Sequence, residues 1–592
     1  MKVARSPQRF LKVDSLVWLA PLVFLGLFYF FPLGSILGAS FERASGGGRL
    51  LPQLWAAFQE ALASPAERGV LWFTVWQATL STALTLVVGL PGAYLLARYE
   101  FRGKSLLQAL LGIPFVMPTL VVAAGFSALL GANGWVNSAW MSAFHLSQPP
   151  LHFTNTLFAI LLAHVFYNTT IVLRMVGDFW AHLDPRLGQA AQVLGANRWR
   201  TLRFVTLPLL MPSILAATLL VFIFDFTSFG VILVLGGPRY ATLEVEIYNQ
   251  TISLFNLPLA ATLAIIQLAC TLTMTVVYTR LIARVSRPVS LRPRRYTQRR
   301  LTTWRSRILA SALVIFLLVL MVSPLLALAA RSVTRIETER GQSGRGAEQP
   351  SVTRGFTLEY YRELTINRRG SLFYASPATA IAISLGYATA TVVLALLLGL
   401  PAAWSLAREP GQTSQFTGLL NRLLDPLLML PLGTSAVTLG LGFIIALDRP
   451  PLDLRASPLL IPIAHTLVAF PFVVRSLTPS LRTIRPRLRQ AAAVMGASPG
   501  QVIRHIDLPL VSRALAVAAM FAFTISLGEF GATAMIARPE YPTIPLAIFR
   551  LISQPGALNY GQAMAMSTIL MLVSAAGMLA IERFRIADVG EF

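Results

Sequence analysis

Twelve apolar runs, set apart by short polar stretches, leave this 592-residue chain little choice of fold. In the first half they fall near 15–39, 70–97, 106–130, 153–175, 213–236 and 259–281. In the second they fall near 308–330, 378–407, 427–447, 458–475, 514–537 and 562–581. Each can reach across ~30 Å of hydrocarbon. Lipid offers peptide groups no hydrogen-bond partners, so such segments satisfy them internally as α-helices. The expected fold class is an all-α polytopic membrane protein with about 12 transmembrane helices. Charged residues make up only 12% of the chain, about half the share usual in soluble domains.

The net charge of +24 invites a nucleic-acid reading, which the distribution of the charge excludes. Basic residues cluster in alternate loops, as the positive-inside rule expects, rather than in a stripe on one soluble domain. Lys2, Arg5, Arg9 and Lys12 precede the first run, and Arg98, Arg102 and Lys104 follow the second. Arg174, Arg186, Arg198, Arg200 and Arg203 follow the fourth. Ten arginines lie between Arg280 and Arg307, among them Arg294, Arg295, Arg299 and Arg300. Residues 131–152 contain no Lys, Arg, Asp or Glu. This pattern places both termini in the cytoplasm. The stretch 331–376 is basic, with eight arginines among five glutamates, yet parity puts it outside. Long external loops translocate regardless of charge, and the Gly, Ser, Gln and Glu content of 340–350 predicts a flexible section there. The run 15–39 is too long for a signal-peptide core and reads as an uncleaved first span. The lone Cys270, inside an apolar run, excludes a disulfide framework and Cys-based metal sites.

One polar segment occurs twice, 301 residues apart: PRLGQAAQVLGANRWRTLRFVTLPLL from Pro185 and PRLRQAAAVMGASPGQVIRHIDLPLV from Pro486. Over the 25 positions from Pro185 to Leu209, 13 are identical at that offset. The duplication extends further. His164 matches His465, Arg174 matches Arg475, and Phe229-Gly230 matches Phe530-Gly531. GLPGAYLLAR from Gly89 recurs as GLPAAWSLAR from Gly399, at a spacing of 310. The halves are therefore parallel repeats of six spans, an arrangement that places a pathway at the repeat interface. A soluble hook kept twice predicts a soluble partner present twice.

Within the first hook Leu187, Ala190, Ala191 and Leu194 share one face of a short helix, as do Leu488, Ala491, Ala492 and Met495 in the second. Gly195 and Gly496 allow a sharp turn. A second amphipathic piece is expected to end at Leu207-Pro208 and Leu508-Pro509, where proline redirects the chain. An interfacial helix lying on the bilayer is the plain alternative for one such segment, but the shared spacing of two copies argues against it. Gln-Ala-Ala, a Gly six residues after the Gln, and Leu-Pro eighteen and nineteen after it resemble the EAA loop of binding-protein-dependent ABC importer permeases. The resemblance covers essentially the whole chain, as two fused units, and is nearest to permeases of thiamine and ferric-iron uptake. FTSFGVILVLGGPRYATLEVEIYNQ (226–250) and SLGEFGATAMIARPEYPTIPLAIF (526–549) carry that closer likeness, and the second segment also resembles sulfate and molybdate permeases.

The resemblance implies two coupling loops, 185–210 and 486–511, each docked on one copy of a cytoplasmic ATP-binding subunit. The coupling residues it implies are Gln189, Ala190, Ala191, Gly195, Leu207 and Pro208, with Gln490, Ala491, Ala492, Gly496, Leu508 and Pro509. The family's leading Glu is Gln189 and Gln490 here, so that contact rests on shape and apolar packing rather than charge. It further implies one extracytoplasmic binding protein, residence in a bacterial inner membrane, and a first unit at 1–283, a linker at 284–307 and a second unit at 308–592. No GxxxxGK[ST] phosphate loop, HExxH or GxSxG is present, so ATP hydrolysis falls to another chain and no catalytic residue, metal or cofactor is expected.

Charges inside spans are functional by default. Asp225 and Glu529, with Ser228 nearby, are the candidate pathway residues, suited to a cationic solute; hydrogen bonding between packed helices is the other reading. His164 and His465 read as interhelical hydrogen-bonding groups, with Asn168 replaced by Ala469 in the second half. The expected function is passage of a small solute, thiamine or ferric iron. The rivals are a sulfate/molybdate-type anion permease and a proton-coupled secondary transporter.

Overall fold

The computed structural model describes residues 18–41, 58–59, 62–146, 148–285, 297–339, 351–367, 375–407, 424–448, 450 and 452–584. The basic N-terminus (Lys2 to Lys12), Arg294, Arg295 and the section 340–350 lie outside the described residues. The fold is all-helical apart from two small strand pairs. Among the described residues, 11 helices are long and apolar enough to cross a membrane, or 12 if one bent pair counts as a span.

Four apolar runs do not fold as single rods. The run 106–130 breaks at Met117-Pro118, between Lys104–Val116 and Thr119–Leu130. Met117 is extended because the following proline ring excludes the helical region. The candidate span is Thr119–Phe144, which takes in a helix, Trp135–Phe144, from the uncharged stretch read as a loop. The run 427–447 is bent by 98° between Leu424–Gly433 and Ala436–Ala446. The runs 213–236 and 514–537 leave their helices at Phe226 and Gly528, and short helices Gly230–Leu235 and Gly531–Ile536 follow. The stretch 331–376 also holds more than a loop: strands Thr334–Glu339 and Ser351–Phe356 pair antiparallel, and Glu359–Glu363 is helical.

Each half is built on one close helix pair. Pro65–Arg98 packs on Leu157–His182, and Pro377–Ala407 packs on Leu460–Arg482. Glycine makes the approach possible. A Cβ on Gly89 would lie 2.7 Å from Val172 Cβ, and one on Gly399 would lie 2.6 Å from Val473 Cγ1. Both pairs are equivalents in the duplication.

The first helix of each half packs both on the last span of its own half and on the other half. The candidate span Leu19–Ser40 lies against Ala436–Ala446, where a Cβ on Gly442 would be 2.9 Å from Pro32 Cβ. The Tyr29 hydroxyl also meets Thr434 Oγ1 at 2.7 Å. Trp304–Arg331 lies against Thr119–Leu130, where a Cβ on Gly125 would be 3.0 Å from the Pro324 carbonyl oxygen. Arg174 adds a tie between halves, 2.5 Å from Glu582. The halves are thus clasped at their flanks, and the faces between the clasps meet along the centre.

Candidate gate and coupling loops

The two hooks form the same sequence of local elements. Pro185–Val193 and Pro486–Val494 are helices of nine residues with proline in the first turn, where its missing N–H costs nothing. Asp184 caps the first, accepting from Arg186 N at 3.0 Å. Gly195 (φ +89°) and Gly496 (φ +86°) end them in the left-handed region. The following amides, Ala196 N and Ala497 N, donate back to Ala191 O and Ala492 O at 3.0 Å. This is a glycine C-terminal cap, and it turns Val193-Leu194 and Val494-Met495 outward, more than 80% exposed. Gln189, Ala190, Gln490 and Ala491 are exposed as well, Ala191 is half-buried, and Ala492 is buried.

The prolines do not end the second pieces as expected. Leu207, Pro208, Leu508 and Pro509 are exposed and lie inside continuous helices, Arg198–Phe226 and Gly500–Gly528. A five-residue π turn precedes each proline, and Leu207 N and Leu508 N donate to Leu202 O and Ile503 O. The wider turn lets the helix run past a residue with no N–H to give. Each of these helices has 29 residues.

Those helices lead from the hooks to the centre of the molecule. Three residues after Phe226 stands Phe229, and two after Gly528 stands Phe530. The two phenylalanines are equivalents at the 301 offset and stack on each other, ring centroids 5.4 Å apart at 23°. A second aromatic backs each ring: Tyr248 at 5.4 Å from Phe229, and Phe549 at 5.5 Å from Phe530. Tyr248 and Phe549 are also equivalents. Four rings therefore close the seam between halves, where a Cβ on Gly230 would lie 3.2 Å from Phe530 Cδ1. The Phe-Gly repeat was visible in the sequence. The backing pair was missed, although the same offset applied to 248 and 549 finds it.

Behind the rings, each half holds one histidine between an acid and a serine. His164 Nε2 meets Ser228 Oγ at 2.9 Å, while its Nδ1 lies 3.0 Å from Ser81 Oγ and 3.3 Å from Asp225 Oδ1. Asn168 donates to that same Asp225 oxygen at 2.7 Å. His465 Nδ1 meets Ser526 Oγ at 2.8 Å, and its Nε2 lies 2.9 Å from Thr533 Oγ1 and 3.2 Å from Glu529 Oε2. Glu529 also accepts from Ala532 N (2.9 Å) and Thr533 N (3.2 Å), capping the short helix after it. Asp225 and Glu529 are both buried and bonded within their own halves, and Ser228 is half-buried.

A further buried acid, at the contact between the halves, escaped the sequence reading. Glu244, on the short helix Leu243–Tyr248, is 1% exposed. It accepts from Gln267 of its own half and, at 2.5 Å, from Ser435 Oγ of the other. Its equivalent is Pro545, so no repeat signal marked it.

Duplicated exposed hooks, continuous helices running from them, and a ring-closed seam between membrane-crossing halves define a multi-pass membrane transport subunit. The chain is a permease of the binding-protein-dependent ABC transport type, an inner-membrane component and not the ATPase. The family described as "Binding-protein-dependent transport system inner membrane component" matches residues 89–287. The thiamine transport system permease protein of Salmonella typhimurium is 28% identical over 504 residues, 83% of this chain and 85% of the relative. That of Escherichia coli is 26% identical over 523 residues, 85% and 89% of the two chains. That of Brucella abortus is 26% identical over 562 residues, 93% and 95%.

Proposed function

We propose that this permease carries thiamine, or a closely similar organic cation, from an extracytoplasmic binding protein into the cytoplasm. Its halves are two fused units, 1–283 and 308–592, joined by a cytoplasmic linker at 284–307. One ATPase subunit docks on each hook, the first through Gln189, Ala190, Ala191 and Gly195, the second through Gln490, Ala491, Ala492 and Gly496. Both hooks and both termini face the cytoplasm, as loop charge predicts. The observation that carries the substrate assignment is the similarity to thiamine permeases along 83–93% of the chain.

The geometry supports a direct mechanism. A helix of 29 residues, about 43 Å long, joins each hook to the residues just before a gate phenylalanine. Closure of the ATPase pair moves the hooks. The helices Arg198–Phe226 and Gly500–Gly528 carry that movement as rods, and the Phe229–Phe530 stack parts. The clasped first helices keep the halves together while the seam opens. Asp225, held by His164 and Asn168, and Glu529, held by His465 and Thr533, fix the backbone on which the rings are mounted.

The test is reconstitution of the chain with its ATPase subunits and binding protein in proteoliposomes. ATP-dependent accumulation of labelled thiamine is expected, saturable and competed by unlabelled thiamine. Accumulation of ferric iron or sulfate without thiamine would overturn the substrate assignment. ATPase subunits that associate equally with a chain carrying both Gly195→Trp and Gly496→Trp would overturn the docking assignment.

A further inference from the structure

We infer that Glu244 is the cation-recognising group of the pathway, masked by Ser435 while the gate is shut. The inference rests on the reading that the seam between the halves is the pathway. Glu244 is a buried carboxylate whose described partners are the neutral Ser435 and Gln267. A carboxylate taken out of water without a cation beside it is costly, so a chain that keeps one at an interface between halves gains something from it.

Both ends of this contact stand beside the gate. Glu244 precedes Tyr248 by four residues on one helix, one turn away on the same face, and Tyr248 backs Phe229. Ser435 precedes Ala436, whose Cβ would lie 3.1 Å from a Cβ on Gly531, next to Phe530. Ser435 Oγ also accepts from Val437 N at 3.1 Å, holding the bend at the start of Ala436–Ala446. The contact therefore spans the same seam as the Phe229–Phe530 stack, and Glu244 parts from Ser435 as the rings part, because Ala436–Ala446 moves with Gly531–Ile536, on which it packs, and carries the Tyr29–Thr434 tie with it. What remains on one wall is a carboxylate still oriented by Gln267, facing the gap. On the opposite wall the equivalent position is Pro545, so the recognition is one-sided. Asp225 and Glu529, by contrast, keep their partners when the halves separate, because those partners belong to the same half. Of these three acids, Glu244 is the one that an organic or metal cation finds bared when the seam opens.

The experiment places a reporter thiol at the other end of the contact, independent of the transported solute. Ser435→Cys is made in a Cys270→Ser background, which removes the native thiol. The full complex is treated with a cationic or an anionic methanethiosulfonate, at rest and after trapping with ATP and vanadate. Neither reagent is expected to react at rest. After trapping, the cationic reagent is expected to react about tenfold faster than the anionic one, a ratio worth ~1.4 kcal/mol. Adding Glu244→Gln should bring the ratio close to one. Unchanged reactivity on trapping, or a ratio that survives Glu244→Gln, overturns the inference. Failure of the wild-type complex to accumulate thiamine would sink the substrate assignment alone, since the thiol ratio decides Glu244 without it.

Discussion

The two halves hold the same histidine in the same place but exchange the residues on either side of it. At the 301 offset Asp225 corresponds to Ser526, and Ser228 to Glu529. The first half thus sets its acid on the Nδ1 side of His164, and the second sets its acid on the Nε2 side of His465. At the spacing of 310 that relates Gly89 to Gly399, Ser81 corresponds to Thr391: Ser81 meets His164 directly, whereas Thr391 is reached through Ser526 at 3.2 Å. What the duplication preserves is a satisfied cluster of one imidazole, one carboxylate and hydroxyls, not an acid at a fixed position. A partly satisfied buried network is worse than none, so the two positions are free to trade roles only together. The hooks show a second asymmetry. Arg489 donates to Asp507 at 2.8 Å and lies over the Trp404 ring at 5.1 Å. At the equivalent positions of the first hook stand Gly188 and Thr206, so the pair that pins the second hook to its own half has no counterpart there.

The largest effect is expected where the halves are most alike. Gly195 and Gly496 have positive φ and nothing within 4 Å of an added Cβ, so substitution strains the backbone rather than the packing. Gly195→Trp with Gly496→Trp is expected to abolish both co-purification of the ATPase and uptake while thermal stability of the membrane domain stays within a few degrees. The single variants should break the symmetry. The pinned second hook cannot yield to relieve the strain, so Gly496→Trp should depress uptake more than Gly195→Trp; equal losses would show that the pin has no mechanical consequence.

Next come the gate rings. Phe229→Ala and Phe530→Ala each remove one member of a stack worth ~1 kcal/mol beyond its burial. Each single variant is expected to raise ATPase turnover without binding protein several-fold, and the double variant should add little, because one lost ring already ends the contact. Additive effects would mean that the rings act separately. Smaller again is the acid exchange. Asp225→Ser leaves the Asn168 amide and His164 short of an acceptor, at ~1–3 kcal/mol for each orphaned group. Adding Ser228→Glu recreates the arrangement of the second half, and it should recover part of the lost melting temperature. A double variant no more stable than Asp225→Ser alone would show that the two clusters are not interchangeable.

Hydropathy made the spans legible because burial in lipid is a property of each segment by itself. The hooks were legible because duplication records a constraint without any knowledge of what touches what. The break at Met117-Pro118 was written in the proline, but an unbroken apolar run concealed it. The packing of each first helix on the opposite half left no local trace: Pro32 and Gly442, or Pro324 and Gly125, look like ordinary span residues until packed together. Glu244 was illegible for a different reason. It lies in a polar stretch, ATLEVEIYNQ from Ala241, that reads as a loop, and it is buried only by packing distant in sequence, on Leu257–Val285 of its own half and on Ala436–Ala446 of the other. Asp225 and Glu529 were found by their setting in apolar runs, yet their histidine and asparagine partners lie 57 to 64 residues earlier in the chain and came into view only with the fold.

The smallest expected effect concerns the pin itself. Arg489→Ala removes a charged hydrogen bond and a ring contact, and it leaves the Asp507 carboxylate buried without its cation, at ~2–3 kcal/mol. Asp507 belongs to the π turn before Pro509, so the loss falls on the joint between hook and rod rather than on the docking face. ATPase association should therefore persist, while uptake falls a few-fold for the same ATP consumed. The converse experiment installs the pin where it is missing. Gly188→Arg with Thr206→Asp gives the first hook the charged pair of the second, with Tyr94 at the position of Trp404. A Cβ on Gly188 would lie 3.3 Å from Thr201 Cγ2, a tight contact that the threonine side chain has to relieve by a few tenths of an ångström. The stoichiometry of solute to ATP is expected to rise or hold in this variant and to fall in Arg489→Ala. A fall in both would mean that the asymmetry between hooks, not the pin, is what the transporter needs.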